Sequence, residues 1–169
     1  LIIILILKIM LINIMKDMKT AIIYARVSSS GSLESRQSTE RQVIDLTDYA
    51  NRNAMTISKT FEEHISGAKR NEERAVLTEC IEYAISNSID VVLFSELSRC
   101  GRAVWEVLDT IRTLKDNGIN AYFQKEGLSL FQEDNTENVY LAIMISVLSS
   151  ASQIERENLI FRLKSGRKV

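Results

Sequence analysis

The chain has 169 residues, a formal net charge of −1, 46% hydrophobic residues and 25% charged residues. These values are typical of a soluble globular domain with a substantial core; they exclude a protein coated in positive charge but allow a local basic patch. Cys80 and Cys100 have no ligand spacing, and His64 is the only histidine, so a zinc site or a cysteine–histidine dyad has little support. We therefore expect a cytoplasmic protein without a cofactor or a metal.

Residues 1–17 differ in composition from the rest of the chain. The apolar run before Lys8 is too short to span a bilayer and lacks the flanks of a signal peptide. Residues 1–16 contain only Leu, Ile, Lys, Met and Asn, which have AT-rich codons. We expect a non-native or disordered leader with the natural start at Met18. The alternatives are an added apolar strand or helix, or an anchor peptide; no membrane partner is expected.

Apolar patterning in the first half of the chain predicts alternating strands and helices. Thr39 and Gln42 have the spacing of a capping box and should open the first helix. In chain order we predict a strand over 20–27, a Ser-rich loop over 28–38, a helix from 39 to about 53, a strand over 56–61, a polar loop over 62–71 and a helix over about 72–87.

The second half continues this alternation. The apolar run over 90–94 is typical of a central parallel strand. It should be followed by a helix over 103–116, a strand over 119–124 and a short edge strand over 128–131. Residues 18–134 are therefore predicted to form an α/β three-layer sandwich, with a mostly parallel sheet of four or five strands and helices on both faces.

A long helix is predicted over residues 136–168, because no helix breaker occurs before Gly166. It would reach ~45 Å, whereas a domain of this size has a radius of gyration of only ~15 Å. Residues 135–169 should therefore extend beyond the domain. The apolar stripe of this helix, which includes Met144, Val147, Leu148 and Ala151, is a candidate oligomer face. The alternative is ordinary intramolecular core.

The end of the same helix is basic, which suits contact with a phosphate backbone. The alternative is a solvated helix tail. The candidate DNA-binding residues are Arg156, Arg162, Lys164, Arg167 and Lys168.

The segment Tyr24-Ala25-Arg26-Val27-Ser28 ends the first predicted strand, just before a Ser/Gly cluster. Ligands of open α/β sheets bind at this end of the strands. Strand alternation points Tyr24, Arg26 and Ser28 to the same side. A hydroxyl beside a fixed guanidinium suits attack on a phosphate, because the arginine can hold the anionic centre. The alternative is an N-capping serine with a surface arginine.

A second pair of arginines, Arg99 and Arg102, follows the strand over 90–94. Neighbouring parallel strands end at one edge of a sheet, so this loop can converge with the one after Ser28. Three guanidiniums around one hydroxyl repel each other unless a phosphate lies between them. An arginine at a phosphoryl transition state contributes on the order of 10³–10⁵ in rate.

Four blocks in this order resemble the catalytic domain of the serine site-specific recombinases, the resolvase–invertase family. The resemblance covers about residues 19–168. Its blocks are residues 24–28, residues 65–67 together with Arg74 and Leu77, residues 97–102, and Gln153-Ile154-Glu155-Arg156.

The resemblance implies that Ser28 attacks a phosphodiester of double-stranded DNA, expels the 3′ oxygen and leaves a 5′-phosphoserine link. It also implies a homodimer that assembles into a tetramer at synapsis. Gln42 lies where family members have a supporting glutamine; its alternative role is a helix cap, and the two roles are compatible. The implied catalytic residues beside Ser28 are Arg26, Arg99, Arg102, Arg74, Tyr24, Gln42 and Glu155.

The chain departs from the family pattern at a few positions. Ser98 stands where many relatives have aspartate, and Glu63 occupies the region of another family aspartate. His64 lies beside it, but the family motif needs no histidine. The chain stops at Val169, where small relatives continue into a helix-turn-helix domain, so we expect a catalytic fragment or a truncated reading frame.

Two other functions remain open at this point. One is a catalytically idle dimerisation or regulatory remnant of a mobile-element recombinase, although the intact Ser28 and its arginines argue against decay of the site. The other is a flavodoxin-like receiver, which would need an acidic cluster that the sequence lacks and would leave the long helix unexplained.

Overall fold

The computed structural model describes residues 3, 4, 6, 18–28, 33–65, 75–101 and 103–165. Strands and helices alternate along the chain. In order they are β1 (Lys19–Ser28), α1 (Leu33–Arg52), β2 (Met55–Ile65), α2 (Ala75–Ser86), β3 (Val91–Phe94), a 3₁₀ turn (Leu97–Arg99), α3 (Val104–Asp116), β4 (Asn120–Phe123), β5 (Leu128–Ser129) and α4 (Val139–Ser165).

The strands form one sheet in the order β2-β1-β3-β4-β5. The first four strands in that order are parallel, and β5 pairs antiparallel with β4. The side chain of Asp90 links the start of β3 to β1, because its Oδ2 accepts hydrogen bonds from the backbone N–H (2.6 Å) and the hydroxyl (2.8 Å) of Thr20. The predicted mostly parallel sheet of four or five strands is confirmed.

Each face of the sheet is covered by helices, so the predicted three-layer sandwich is also confirmed. Alternation along β1 sends Ala21 and Ile23 to the face covered by Leu46 and Ala50 of α1. It sends Ile22 and Tyr24 to the face covered by α2, α3 and the start of α4. Because both faces are covered, residues 21–25 of β1 are fully buried, and so are all four residues of β3.

Three aromatic rings join the central strands near their carboxyl ends. Tyr24, Phe94 and Phe123 occupy matching positions on β1, β3 and β4. Their ring centroids are 5.7 Å apart between Tyr24 and Phe94 and 5.6 Å apart between Phe94 and Phe123, within the range of favourable aromatic pairs. This row of rings holds together the strand ends from which the next loops begin.

Two predicted boundaries in the first half were wrong. Helix α1 begins at Leu33, inside the predicted loop over 28–38, because its first turns contain helix-forming Leu, Glu, Arg and Gln without an apolar period. Strand β2 continues to Ile65, through residues predicted as loop. Residues 62–65 pair with residues 25–28 of β1, so backbone pairing and not side-chain pattern decides this end of the strand.

Helix boundaries in the second half shift less. Helix α4 begins at Val139, three residues after the predicted start, because the Asn138 side chain accepts hydrogen bonds from the N–H groups of Tyr140 and Leu141 as an N-cap. Strand β5 is shorter than predicted and is followed by an isolated bridge between Phe131 and Glu137. The described part of helix α2 begins at Ala75. Its predicted start near residue 72 falls among residues 66–74, which lie outside the described part.

Only the start of α4 packs on the domain. Leu141 is buried, and Met144 and Ile145 pack against the core cluster. From Val147 onward α4 exposes large apolar side chains, among them Val147, Leu148, Ile154, Ile160, Phe161 and Leu163. At ~1.5 Å per residue the 27 residues of α4 make a helix that projects beyond the sandwich.

None of the described helices is long and apolar enough to cross a membrane. The division into a leader over 1–17, a domain over 18–134 and a helical segment over 135–169 stays a prediction.

Candidate active site

The predicted site residues of β1 and β3 follow neighbouring parallel strands. β1 pairs with β3 up to Tyr24 and Phe94 and then continues to Ser28 beside β2. Arg26 and the backbone of Ser28 therefore lie beyond the last β1–β3 pair, at the edge of the sheet where the loop carrying Arg99 begins. The Arg26 residue is half-buried; the side chain of Ser28 lies outside the described part.

Tyr24 holds a buried carboxylate beside this strand end. Its ring lies in the core, and its hydroxyl donates a 2.5 Å hydrogen bond to Oε2 of Glu63. Glu63 is buried on β2, where its backbone is paired in register with Arg26. Tyr24 thus has a structural role that fixes an acidic group within the site region.

In the sequence, Glu63 is recognisable only as standing in the region of a family aspartate. The position of Glu63 in the sheet depends on the length of β2, and the apolar pattern of the sequence predicts a strand that ends too early. With β2 extended, strand alternation from buried Phe61 would have pointed Glu63 to the same face. The side chain of the adjacent His64 lies outside the described part.

The loop after β3 is held in place by groups from two other elements. The N–H of Leu97 donates to Oε2 of Glu126 at 3.1 Å. The hydroxyl of Thr110 on α3 donates to the carbonyl oxygen of Cys100 at 2.9 Å. The 3₁₀ turn that carries Arg99 is therefore fixed at both of its ends.

Within this loop, Arg99 forms an ion pair that the sequence did not reveal. Its Nη2 lies 2.9 Å from Oε1 of Glu96. The same oxygen accepts a 2.8 Å hydrogen bond from the Ser98 hydroxyl, and the other oxygen accepts one of 2.7 Å from Nζ of Lys125. The i, i+3 spacing of Glu96 and Arg99 after a buried strand is the sequence feature that could have predicted this ion pair. The contact of Glu96 with Lys125 joins residues far apart in the chain, and no sequence pattern predicts it.

Glu96 remains charged at neutral pH. The hydrogen bond from Lys125 lowers the pKa of the Glu96 carboxyl, with smaller contributions from Ser98 and Arg99, and these outweigh desolvation, which raises it. The site loop therefore contains a fixed negative charge between two cations.

Gly101 lets this loop pass directly against α3. A Cβ on this residue would lie 2.4 Å from the backbone nitrogen of Val107 and 2.7 Å from its Cγ2. The glycine between the two arginines of the motif is thus required by a backbone contact, and it sets the path of the chain from Arg99 toward Arg102.

The remaining predicted residues are distributed as follows. Gln42 is half-buried on α1, and Arg162 is exposed on α4. Glu155, Arg156 and Lys164 are helical residues of α4 whose side chains lie outside the described part. Arg74, Arg102, Arg167 and Lys168 lie outside it altogether.

In the part of the chain that the structure describes, no group of three or more His, Cys, Asp or Glu could hold a metal ion. Both cysteines are buried, and neither forms a disulfide. Burial, aided by the charge of Glu79, raises the pKa of Cys80 to about 12. This thiol therefore stays protonated at neutral pH and is a poor nucleophile.

Comparison with protein families gives one assignment for most of the chain. Residues 21–169 match the family model described as "Resolvase, N terminal domain". A resolvase of Clostridium perfringens is 31% identical over 145 residues, which cover 86% of this chain and 68% of that protein.

Solved structures give the same result. A resolvase family site-specific recombinase from Streptococcus pneumoniae has a TM-score of 0.67 and 29% identity, covering 88% of this chain and 95% of that one. The N-terminal catalytic domain of TP901-1 integrase has a TM-score of 0.59 and 27% identity, covering 82% of this chain and 98% of that one.

Replacing Gly101 by alanine should destabilise the domain by about 1–3 kcal/mol, the usual cost of forcing an extra carbon into packed structure. Urea unfolding of both proteins measures this. Gly127→Ala is the matched control, because a Cβ there meets nothing within 4 Å and only its φ of +63° opposes the change. Equal stability of Gly101→Ala and wild type would show that the loop does not depend on this contact.

Proposed function

This chain belongs to the family of resolvase N-terminal domains, the catalytic domains of serine site-specific recombinases, and we propose that Ser28 is its nucleophile. Serine recombinases cut and rejoin DNA, so the chain is a DNA-recombining enzyme domain. The observation that carries the role of Ser28 is its position: it ends β1 at the sheet edge where the neighbouring strand leads into the Arg99 loop.

In the proposed reaction the Ser28 hydroxyl oxygen forms a bond to the phosphorus of a DNA phosphodiester. The bond from phosphorus to the 3′ oxygen breaks, and the serine proton ends on that oxygen as a 3′ hydroxyl. The product is a 5′-phosphoserine diester. Attack by a 3′ hydroxyl on this diester restores Ser28 and a continuous strand, so the energy of the phosphodiester is conserved through the covalent intermediate.

The arginines are proposed to bind the phosphate during this exchange. Arg26 lies two residues before Ser28 on β1, and Arg99 lies in the loop after the neighbouring strand. Guanidinium groups suit this work, because they stay charged and present paired donors to phosphate oxygens. Arg102 and Arg74 are assigned the same role from the family motifs, and Gln42 and Glu155 a supporting role.

DNA contacts beyond the scissile phosphate are proposed for the end of α4. Arg162 is exposed there, and Arg156, Lys164, Arg167 and Lys168 are near it in sequence. Such contacts act on phosphates and carry no sequence information. Double-stranded DNA is therefore the proposed partner of this segment.

A homodimer through α4, assembling to a tetramer at synapsis, is proposed from the apolar side chains that the domain leaves uncovered. A groove along α4 is lined by Ala142, Ile143, Val147, Ala151 and Ile154. A second α4 would cover such a stripe, as in other paired helices. No observation favours the idle remnant, and the family assignment replaces the receiver alternative.

Ser28→Ala should abolish the covalent protein–DNA adduct on a suicide duplex carrying the recombination site, because alanine has no oxygen to form the ester. Adduct is measured by denaturing electrophoresis. Ser86→Ala, which removes a hydroxyl at the end of α2, should leave the yield unchanged. Equal adduct from Ser28→Ala would remove Ser28 from the mechanism.

Arg99→Ala should slow adduct formation by roughly 10³-fold or more, as for other transition-state arginines, while DNA affinity falls far less. Trp105 is the only tryptophan and lies exposed in the first turn of α3, so its fluorescence can report DNA binding near this loop. Arg52→Ala, at the end of α1, is the control. Parallel losses of rate and affinity would make Arg99 only an anchor for DNA.

Val147→Lys should convert a dimer into a folded monomer, because a buried unpaired charge costs several kcal/mol. Sedimentation gives the oligomeric state and circular dichroism the fold. Ile44→Lys is the control, since Ile44 on α1 is 58% exposed and Val147 62% exposed. A Val147→Lys protein that remains dimeric would place the interface elsewhere.

A further inference from the structure

The carboxylate of Glu96 joins two loops at the sheet edge of the proposed active site. It belongs to the loop after β3, where it binds Arg99 and Ser98, and it reaches across to Lys125 in the loop after β4. The Glu96 side chain is 18% exposed and that of Arg99 is 25% exposed. This ion pair is therefore largely shielded from water, and its attraction is stronger than that of an ion pair exposed on the surface.

The two carboxylate oxygens of Glu96 bind different partners. Oε2 accepts a hydrogen bond from Nζ of Lys125, whose side chain is largely exposed. Lys125 therefore balances the negative charge of Glu96 from the solvent side. Oε1 is shared by the Ser98 hydroxyl and by Nη2 of Arg99. Lys125 balances the charge of Glu96, so the three groups Glu96, Lys125 and Arg99 together carry one net positive charge.

We propose that Glu96 is a positioning residue for Arg99, and that Lys125 is the counter-ion that allows a carboxylate to act beside a phosphate site. Arg99 has a long side chain with many rotamers, and fixing it before DNA arrives removes an entropic cost from the reaction. The proposal rests on the phosphate-binding role of Arg99 given above.

The same contact could act in the opposite sense, as an inhibitory pair in which Glu96 competes with the phosphate for Arg99. The two roles differ in sign. A positioning carboxylate, once neutralised, leaves Arg99 misplaced and slows strand cleavage. An inhibitory carboxylate, once neutralised, frees Arg99 and speeds it.

The test is Glu96→Gln, with Glu126→Gln as the matched control. Both changes remove one negative charge from neighbouring loops, and the amide oxygen at 126 can still accept the N–H of Leu97. We expect adduct formation about 10–100-fold slower in Glu96→Gln, the scale of a small misplacement of a catalytic group, and near wild type in Glu126→Gln. Affinity for the same duplex, followed by Trp105 fluorescence, should be unchanged or tighter in both, because each variant is less negative.

Side-chain NMR of the free protein tests the positioning without catalysis. The Nε–H signal of Arg99, assigned by its loss in Arg99→Lys, should be sharp in wild type and Glu126→Gln and should broaden in Glu96→Gln. Glu96→Asp should recover part of the rate, and Lys125→Gln should slow it less than Glu96→Gln.

An unchanged or faster rate in Glu96→Gln, an equal loss in Glu126→Gln, or an unchanged Arg99 signal would each overturn the proposal. Absence of any wild-type adduct would instead contradict the function proposed for Ser28, and the Arg99 signal would still decide whether Glu96 positions the arginine.

Discussion

Parallel pairing of β1 with β3 is the constraint on which the rest of this structure depends. It fixes one edge of the sheet as the common end of both strands, so residues about 70 positions apart in sequence share one region. Tyr24, Phe94 and Phe123 pack across the same strands just before this edge. The core that stabilises the domain therefore also sets the spacing of the loops that carry the chemistry.

Charge is the difficulty of the proposed site, because it would bring several arginines close together before any phosphate is bound. Among the described residues, three carboxylates lie in this region, and Glu126 accepts the backbone N–H of Leu97. Glu63 is buried and bound by Tyr24, whereas Glu96 is shared by Arg99, Ser98 and Lys125. Glu96 pairs with two cationic side chains, Arg99 and Lys125, and so separates two positive charges that repel each other.

Helix α4 lies in two different environments along its length. Its first turns complete the core through Leu141, Met144 and Ile145, while the part from Val147 onward carries apolar side chains that the domain does not cover. A helix that is anchored at one end and uncovered at the other leaves its apolar side chains available for the proposed contact with a second copy without disturbing the sheet.

The strand–helix alternation and the parallel sheet could be predicted from the sequence, because buried strands and amphipathic helices have local periods that can be recognised along the chain. The roles of Arg26, Ser28 and Arg99 were inferred from their motifs and stay predictions. The sequence did not determine the ends of α1 and β2, since polar residues there follow helix propensity and backbone pairing instead of an apolar pattern. Nor did it determine the contacts of Tyr24 with Glu63 or of Lys125 with Glu96, or the closeness of Gly101 to Val107. These contacts join different strands, helices and loops, which the strand order and the packing of helices on the sheet bring together. They are visible only in the folded chain, because contacts between distant segments leave no periodic pattern in the sequence.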